Sequence, residues 1–290
     1  MNALLEPRDL KLLANWRLNP RRTFSGHVQG ERLTSRRGIS IEFADYREYV
    51  EGDDLRHLDW NVLARLDNAV VKSYRDEEDL AVHLLIDASP SMTFGTPSKL
   101  FAAKRFAAAL GSVALAGGDA VYVRMLGRRE QPQPPMRGRP GFSRLMRAVD
   151  AVAPGPGARL APALVEFAKT ETRRGIAILL SDGFDPAAAN AIRALGGRGF
   201  EVLFLQVLAD EDLSPPLEGD LRLIDDEGGE PVEITANSSV LKEYDRRLGE
   251  HNAELQQAVL RAGGRYALVR ARTPLDTLIS TVWRRDGWVA

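Results

Sequence analysis

Short apolar runs alternate with longer alanine- and leucine-rich stretches from Asp79 onward, and this alternation constrains the fold most. The short runs are rich in valine, isoleucine and leucine, as buried parallel strands are. They predict strands at Ala81–Ile86, Ala120–Leu126, Ile176–Leu180, Glu201–Leu208 and Arg265–Val269. The longer stretches predict helices at Ser98–Leu115, Ser143–Val152, Ala161–Thr172, Pro186–Leu195, Ser239–Ala262 and Leu275–Trp283. We therefore expect an α/β fold with a mostly parallel sheet and helices on both faces.

The segment before Asp79 lacks this alternation. It is predicted to form an N-terminal extension (1–78) that precedes an α/β domain (79–290). Apolar residues recur at helical spacing in residues 3–18, which are expected to form an amphipathic helix. Within the α/β domain, residues 209–237 contain two short strand-like runs that predict an inserted β-ribbon.

Charge and composition exclude several classes of partner. The 39 basic and 40 acidic side chains give a net charge of −1, so no global field favours nucleic acid or an anionic membrane. Cysteine is absent, which excludes disulfides and thiolate chemistry and suits a reducing compartment. The apolar stretch at Ala107–Ala116 is too short to span a bilayer and predicts a buried helix. We therefore expect a cytoplasmic protein without a membrane span.

The common enzyme motifs are missing. The four histidines have no metal-ligand spacing, and the chain contains no G-x-S-x-G, G-x-x-x-x-G-K-[ST] or G-x-G-x-x-G sequence. Zinc hydrolases, serine hydrolases, phosphate-loop ATPases and dinucleotide-dependent enzymes therefore lack their key residues here. We predict that the protein is not an enzyme.

A carboxylate and two hydroxyls follow the first strand of the predicted sheet. Asp87, Ser89 and Ser91 lie at i, i+2 and i+4 on a turn that leads into a helix, and Asp182 follows a later strand. Because ligands of open α/β sheets bind at the carboxyl ends of strands, these side chains are expected to face one site. Such oxygen ligands suit Mg²⁺ or Mn²⁺. The same residue types also cap helices and form turns, and this alternative stays open.

The loop Asp87-Ala88-Ser89-Pro90-Ser91 resembles the metal-dependent adhesion site of the von Willebrand factor A superfamily. That site combines a D-x-S-x-S loop, a threonine from a second loop and an aspartate from a third. The resemblance implies a von Willebrand factor A-like, Rossmann-like fold. It also implies that Ser89 and Ser91 ligate the ion directly, while Asp87 and Asp182 act largely through water.

The threonine of this pattern is replaced. The segment that usually contains it corresponds to Gly157-Ala158-Arg159-Leu160, so Ala158 leaves the ligand set incomplete. The guanidinium of Arg159 could instead pair with the two carboxylates and supply the positive charge of an ion. A solvated surface arginine is the alternative.

Residues 35–65 are the most specific segment of the chain. Their closely spaced charged, aromatic and glycine residues match the hallmark of the bacterial domain-of-unknown-function family fifty-eight. The matching residues are Gly38, Glu42, Phe43, Asp45, Arg47, Tyr49, Gly52, Asp53, Asp54, Arg56, Asp59, Trp60, Ala64 and Arg65. Their alternating charges predict an ion-pair network that holds the extension to the sheet domain, with a recognition surface as the alternative.

This resemblance also implies a function. Relatives of the family often accompany MoxR-type AAA+ ATPases, so a non-catalytic adaptor that binds such an ATPase or its client is expected. In the superfamily a partner carboxylate completes the coordination of the ion, so an Asp or Glu of the partner is expected at Ser89, Ser91 and Asp182. If Arg159 replaces the ion, that carboxylate is expected to pair with the guanidinium instead. The alternative is a magnesium-dependent phosphatase-like enzyme with Asp87 as the phosphoryl acceptor. That enzyme would need a second carboxylate in place of Ser89 and a suitably placed lysine.

Overall fold

The computed structural model describes residues 4–22, 24, 42–50, 58–66, 69–75, 79–127, 133–155, 158–223 and 231–290. By its contacts the chain divides into two compact units. One comprises Met1–Arg22 together with Leu80–Ala290, and the other comprises Thr23–Asp79. The segment Met1–Arg22 therefore groups with the sheet, whereas the sequence pattern places it in the extension. The division into two domains at residue 79 stays a prediction.

The secondary structure of the described residues follows the predicted alternation. In chain order the helices are α1 (Pro7–Leu13), α2 (Trp60–Leu66), α3 (Lys99–Gly117), α4 (Gly138–Asp150), α5 (Leu160–Thr170), α6 (Ala188–Gly197), α7 (Asp210–Leu213), α8 (Ser238–Arg261) and α9 (Leu275–Leu278). The strands are β1 (Glu42–Glu48), β2 (Val70–Arg75), β3 (Ala81–Asp87), β4 (Ala120–Leu126), β5 (Gly175–Ser181), β6 (Glu201–Leu208), β7 (Gly219–Leu223), β8 (Val232–Ala236) and β9 (Arg265–Arg270). Strands β7 and β8 pair antiparallel, which confirms the inserted ribbon.

Five parallel strands form the central sheet in the order β4-β3-β5-β6-β9. Leu84 of β3 faces α3, where it lies close to Gly111. The next residue, Leu85, belongs to a buried cluster with Leu164 of α5 and Ile192 of α6. Successive side chains therefore point to opposite faces, and helices cover both. The predicted α/β fold with a parallel sheet is confirmed, while its assignment to the von Willebrand factor A type stays a prediction.

Helix α3 lies closely against the sheet. It begins after Ser98, whose Oγ accepts a hydrogen bond from the N–H of Phe101 (3.2 Å). It ends at Gly118, which has a φ of +89°. Among the described residues α3 is the one helix long and apolar enough to cross a membrane, and 67% of its apolar stretch is buried inside the protein. Residues 107–115 are all buried, as predicted for a core helix.

Helix α1 is shorter than the periodicity predicts. It covers Pro7–Leu13 and not residues 3–18. After the helix, Arg17 exchanges two backbone hydrogen bonds with Ala290 (3.0 and 2.9 Å). Because extended pairing with the C-terminal residues satisfies the backbone there, the helix ends early and the predicted length is wrong.

A buried ion pair joins the N-terminal segment to two strands. Glu201 of β6 is fully buried and pairs with Arg265 of β9. The other carboxylate oxygen of Glu201 accepts hydrogen bonds from the backbone N–H groups of Arg21 (2.8 Å) and Arg22 (3.0 Å). Arg265 also donates to the carbonyl of Asn19 (2.7 Å). One polar network therefore holds three segments of the chain together.

Strand β4 is at one edge of the sheet. Val121 in β4 exchanges two backbone hydrogen bonds with Met136 (2.9 and 2.8 Å) in an isolated antiparallel bridge. Met136 is buried, and the two residues before it are Pro134 and Pro135. A short proline-containing segment therefore lies beside this edge.

The second unit contains the antiparallel pair β1 and β2, with α2 between them in the chain. A carboxylate oxygen of Asp59 accepts hydrogen bonds from the N–H groups of Asn61 (3.0 Å) and Val62 (3.3 Å), so Asp59 caps α2. Trp60 is 59% exposed. Several signature residues lie outside the described residues, namely Gly38, Gly52, Asp53, Asp54 and Arg56. The ion-pair network expected of them stays a prediction.

Candidate functional site

The candidate site lies where β3 and β5 end side by side. The two strands are parallel neighbours with Ile86 opposite Leu180, so Asp87 and Ser181 follow at the same edge. The Oγ of Ser181 donates to Oδ2 of Asp87 (2.5 Å), and the N–H of Ser89 donates to its Oδ1 (2.9 Å). Asp87 is 2% exposed. Both of its carboxylate oxygens therefore accept hydrogen bonds inside the protein.

The two predicted hydroxyl ligands lie together on the loop after β3. The Oγ atoms of Ser89 and Ser91 are 3.1 Å apart, with Ser89 buried and Ser91 half-buried. Met92, in the 3₁₀ turn that follows, is fully buried and anchors the loop. Phe94, directly after that turn, is 52% exposed. The loop therefore exposes the hydroxyl of Ser91 and the ring of Phe94, while Ser89 and Met92 are buried.

Asp182 enters the same cluster from the end of β5. Its charge acts on Asp87 and raises the pKa of that carboxyl group. Its backbone carbonyl accepts a hydrogen bond from Nε2 of Gln206 (2.8 Å), a buried residue of β6. The structure therefore brings together the four residues predicted from the sequence, namely Asp87, Ser89, Ser91 and Asp182.

Lys99 adds a positive charge that the sequence patterns did not place here. It is 1% exposed, and its Nζ lies 2.8 Å from Oδ2 of Asp182 and 3.2 Å from Oδ2 of Asp212. The rings of Phe184 and Phe94 are centred 4.9 and 5.7 Å from the same atom. Because Lys99 begins α3, this ammonium connects that helix to the ends of β5 and β6.

Asp212 is the second residue that the sequence patterns missed. It lies in α7, directly after β6, and its Oδ2 accepts a hydrogen bond from the N–H of Ala209 (2.8 Å). The hydroxyl of Tyr244 donates to its backbone carbonyl (2.6 Å). Asp212 is 8% exposed and so belongs to the buried part of the cluster.

The sequence contains one signal that points to Lys99. A lysine in the first turn of a helix lies at the positive end of the helix dipole, where a cation is unfavourable. Lys99 also begins a long apolar helix that must be buried. A residue with both features requires an acidic partner, but that partner, Asp182, is 83 residues further along the chain.

Burial dominates the electrostatics of Asp87. Burial, together with the charge of Asp182, raises the pKa of this carboxyl group from 3.8 to about 6. Hydrogen bonds from Ser181 and Ser89 act in the opposite direction, because they stabilise the ionised form. The cluster therefore contains three aspartates and one lysine, and one of these aspartates, Asp87, keeps its proton up to a pH of about 6.

Ala158 and Arg159, the residues at and next to the position of the usual threonine, have different environments. Ala158 is buried and packs closely against Gly127, the residue after β4. The space between them is so small that a Cβ added to Gly127 would lie 2.6 Å from the Cβ of Ala158. Arg159 is exposed and precedes α5 as its N-terminal flanking residue. Among the described side chains it is Lys99, and not Arg159, that forms the ion pair with Asp182.

As arranged here, the donor set does not fit a divalent ion. Oδ1 of Asp182 accepts from the N–H of Phe184 (3.2 Å), and its Oδ2 is paired with Lys99. An ion about 4 Å from the ammonium would be repelled by roughly 8 kcal/mol at an effective dielectric constant of about 20. Within the described residues, no group of three or more His, Cys, Asp or Glu side chains is arranged to hold a metal. The magnesium expected from the sequence therefore stays a prediction that this geometry does not favour.

The residues of the cluster lie within a region that matches a known protein family. A family model described as "Protein of unknown function DUF58" matches residues 45–254 of the 290. The chain belongs to the DUF58 family. The matched region contains the strand-end cluster and most of the N-terminal signature of this DUF58 protein. Gly38, Glu42 and Phe43 of the signature precede the matched region.

Mycobacterial relatives of this DUF58 protein carry the description "Uncharacterized protein". Proteins of Mycobacterium tuberculosis and Mycobacterium bovis are 28% identical over 284 residues, which is 96% of this chain and 89% of theirs. Among solved structures, the conserved hypothetical protein BatB of Bacteroides thetaiotaomicron is 18% identical, with a TM-score of 0.45 over 71% of this chain and 98% of that one. An aerotolerance-related membrane protein of Bacteroides fragilis is 20% identical, with a TM-score of 0.41 over 66% of this chain and 91% of that one.

Proposed function

We propose that this DUF58 protein is a non-catalytic adaptor that binds a partner protein through the face at the carboxyl ends of its parallel strands. The supporting observation is that the charged groups of the cluster are satisfied internally. Asp87 is 2% exposed and accepts two internal hydrogen bonds, while Lys99 pairs with two aspartates. The adjoining Ser91 and Phe94 are accessible. Such a surface can recognise a partner, while the carboxylate of Asp87 and the ammonium of Lys99 are already occupied by internal contacts.

The partner is a MoxR-type AAA+ ATPase or its client. This part of the proposal rests on the resemblance of the signature in residues 35–65 and on the von Willebrand factor A-like character of the loop after β3. The proposal places the protein in the cytoplasm, where such an ATPase would meet it. Phe94 is the natural contact, because exposed aromatic residues are enriched among the side chains that dominate binding energy.

The phosphatase-like alternative meets an obstacle in the geometry. A phosphoryl-accepting carboxylate must present an oxygen to the substrate. Asp87 presents neither oxygen, since one accepts from Ser181 and the other from Ser89. Lys99 is a lysine near the site, but its ammonium is already paired with Asp182 and Asp212.

Co-purification with the MoxR-type ATPase of the same genome tests the proposal. We expect Phe94→Ser to weaken binding about tenfold or more, because truncation of an aromatic anchor removes about 1.4 kcal/mol or more of binding free energy. Leu260→Ser is the matched control, since Leu260 is 54% exposed at the end of α8, before β9 begins, and so lies at the amino edge of the sheet. It should bind like the wild type.

Two outcomes would count against the adaptor. One is wild-type affinity in Phe94→Ser, and the other is an ATPase that never co-purifies with the wild type. Hydrolysis of a generic phosphate ester with magnesium, lost in Asp87→Asn, would instead favour the enzyme. Melting temperatures of the variants show whether a loss of binding reflects a loss of folding.

A further inference from the structure

Lys99 has two unfavourable features at one position. It is 1% exposed, and a buried ammonium loses its hydration, so lysine is rarely found fully buried unless it is paired. It also begins α3, where the positive end of the helix dipole repels a cation. Neutral residues of similar size would avoid both costs. The ammonium itself must therefore serve the site.

The contacts of Lys99 show what this charge does. Its Nζ lies 2.8 Å from Asp182 and 3.2 Å from Asp212, which follow β5 and β6. Phe184 and Phe94 lie within cation–π distance of it. One ammonium thus connects two strand-end loops to the start of a helix and offsets part of the charge of two carboxylates.

In an adhesion site of the type that this loop resembles, the ion provides the positive charge beside the aspartates. Here the ammonium lies beside the same Asp182 that was predicted to face the ion. We infer that Lys99 is a built-in cation that replaces the divalent ion, so that this face binds its partner without metal. Partner binding rests on the proposed function, whereas the replacement of the ion does not.

The replacement changes which side chain of a partner fits. A divalent ion attracts an Asp or Glu of the partner. The cluster holds one ammonium, paired with Asp182 and Asp212, and the further carboxyl group of Asp87, so its net charge is −2, or −1 when Asp87 is protonated. A partner carboxylate is therefore disfavoured next to Ser89 and Ser91. A neutral or basic donor to these hydroxyls is the residue that the site accepts.

Metal binding by the whole chain tests the inference without any partner. We expect the wild type to bind no Mn²⁺ by electron paramagnetic resonance at millimolar metal. Its melting temperature should be the same in EDTA and in Mg²⁺. Mn²⁺ binding by the wild type that Asp182→Asn abolishes would overturn the inference, even if no Lys99 variant folds.

Lys99→Met provides the reciprocal test, because methionine keeps most of the side-chain volume and removes the charge. We expect the variant to melt at a lower temperature in EDTA and to regain stability in Mg²⁺, with Mn²⁺ now bound. Lys104→Met is the matched control, since Nζ of Lys104 on the same helix donates to the carbonyls of Asp150 (2.6 Å) and Val152 (3.0 Å), away from the cluster. It should stay insensitive to metal.

A double variant separates charge from packing. Lys99→Met with Asp182→Asn removes both members of the ion pair, so we expect partial recovery of the melting temperature in EDTA and no binding of Mn²⁺. A Lys99→Met protein that folds yet gains no metal binding would show that the ammonium does not replace an ion. These readouts are independent of co-purification, so this inference and the adaptor proposal can fail separately.

Discussion

Burial raises the pKa of the Asp87 carboxyl group to about 6, whereas the unfolded chain ionises this group near 3.8. Between these values the folded protein holds a proton that the unfolded chain releases, so Asp87 makes the fold less stable as the pH rises through this window. Between pH ~4 and ~7.5, we expect the free energy of unfolding of the wild type to fall by about 2 kcal/mol relative to that of Asp87→Asn. Urea unfolding of both proteins across this range, in EDTA, measures the difference.

Asparagine is a suitable replacement at this position. Its carbonyl can accept from the N–H of Ser89, and its amide can donate to the Oγ of Ser181, so both contacts of Asp87 are kept. A stability difference that stays constant with pH would show that the carboxyl group ionises normally in the folded protein.

His83 has the opposite pH dependence. Burial lowers the pKa of its ring from 6.5 to about 4, so stability is lost as the pH falls from about 6.5 to 4, because the unfolded chain binds the proton first. Its Nε2 donates to the carbonyl of Arg173 (3.0 Å), and its ring stacks on Tyr122. As the pH falls from ~7 to ~4, the wild type should lose free energy of unfolding through His83. We expect this loss to be about 3 kcal/mol smaller in His83→Phe. Acid unfolding followed by circular dichroism checks this, and equal acid sensitivity would contradict it.

Single residues of the site differed in how well the sequence predicted them. Asp87 and Asp182 follow apolar strands directly, so the parallel pairing of those strands brings them together. Lys99 begins a helix, and its partners follow later strands, so no local pattern connects them. Arg159 follows Ala158, which occupies the position of the usual threonine, but it precedes α5 and its side chain is exposed.

At the scale of elements, Gly111 sets the distance between α3 and its neighbours. A Cβ added there would lie 2.8 Å from a methyl of Leu145 in α4 and 2.9 Å from one of Leu84 in β3. We expect Gly111→Ala to cost about 1–3 kcal/mol, because the crowding of a filled core exceeds the gain in helix propensity. Thermal unfolding measures the change.

Gly249 is the matched control for this substitution. It lies in the middle of α8, is exposed, and would have no atom within 4 Å of an added Cβ. Gly249→Ala should therefore stabilise the protein by about 0.5–1 kcal/mol. Equal changes in stability for Gly111→Ala and Gly249→Ala would mean that α3 packs less tightly against Leu145 and Leu84 than these distances indicate.

Elements were predicted well where burial is continuous. The five strands of the sheet consist mostly of apolar residues, and all five were located within one residue or so of their ends. Helix α1 was predicted too long, because its apolar spacing continues after the chain has turned to pair with the C-terminal residues. Tertiary pairing there outweighs a weak helical preference.

At the scale of the whole molecule, Glu201 connects the N-terminal segment Met1–Arg22 to β6 and β9. We expect Glu201→Gln to cost about 3–5 kcal/mol, since it leaves the charge of Arg265 buried without its partner. Glu243→Gln is the control, because Glu243 pairs with Arg246 and Arg247 at the surface of α8 and its loss should change stability little. Urea midpoints that shift alike in both variants would contradict the prediction.

The same network explains why the domain boundary was hard to place from sequence. The segment Met1–Arg22 lacks the strand–helix alternation of the later chain and so was assigned to the extension, yet it groups with the sheet. The backbone N–H groups of Arg21 and Arg22 donate to the carboxylate of Glu201, which is about 180 residues away in the chain. Local composition cannot predict such a long-range contact.

The bridge between Val121 and Met136 has a consequence for the solubility of the folded protein. An open edge strand offers unpaired N–H and C=O groups to any other strand, which is a route to aggregation. Here part of the β4 edge is already paired, and Pro134 and Pro135 have no N–H with which to continue a ladder outward. Pro134→Thr with Pro135→Val should therefore leave the fold intact and speed sheet-to-sheet association, which light scattering at constant temperature would detect.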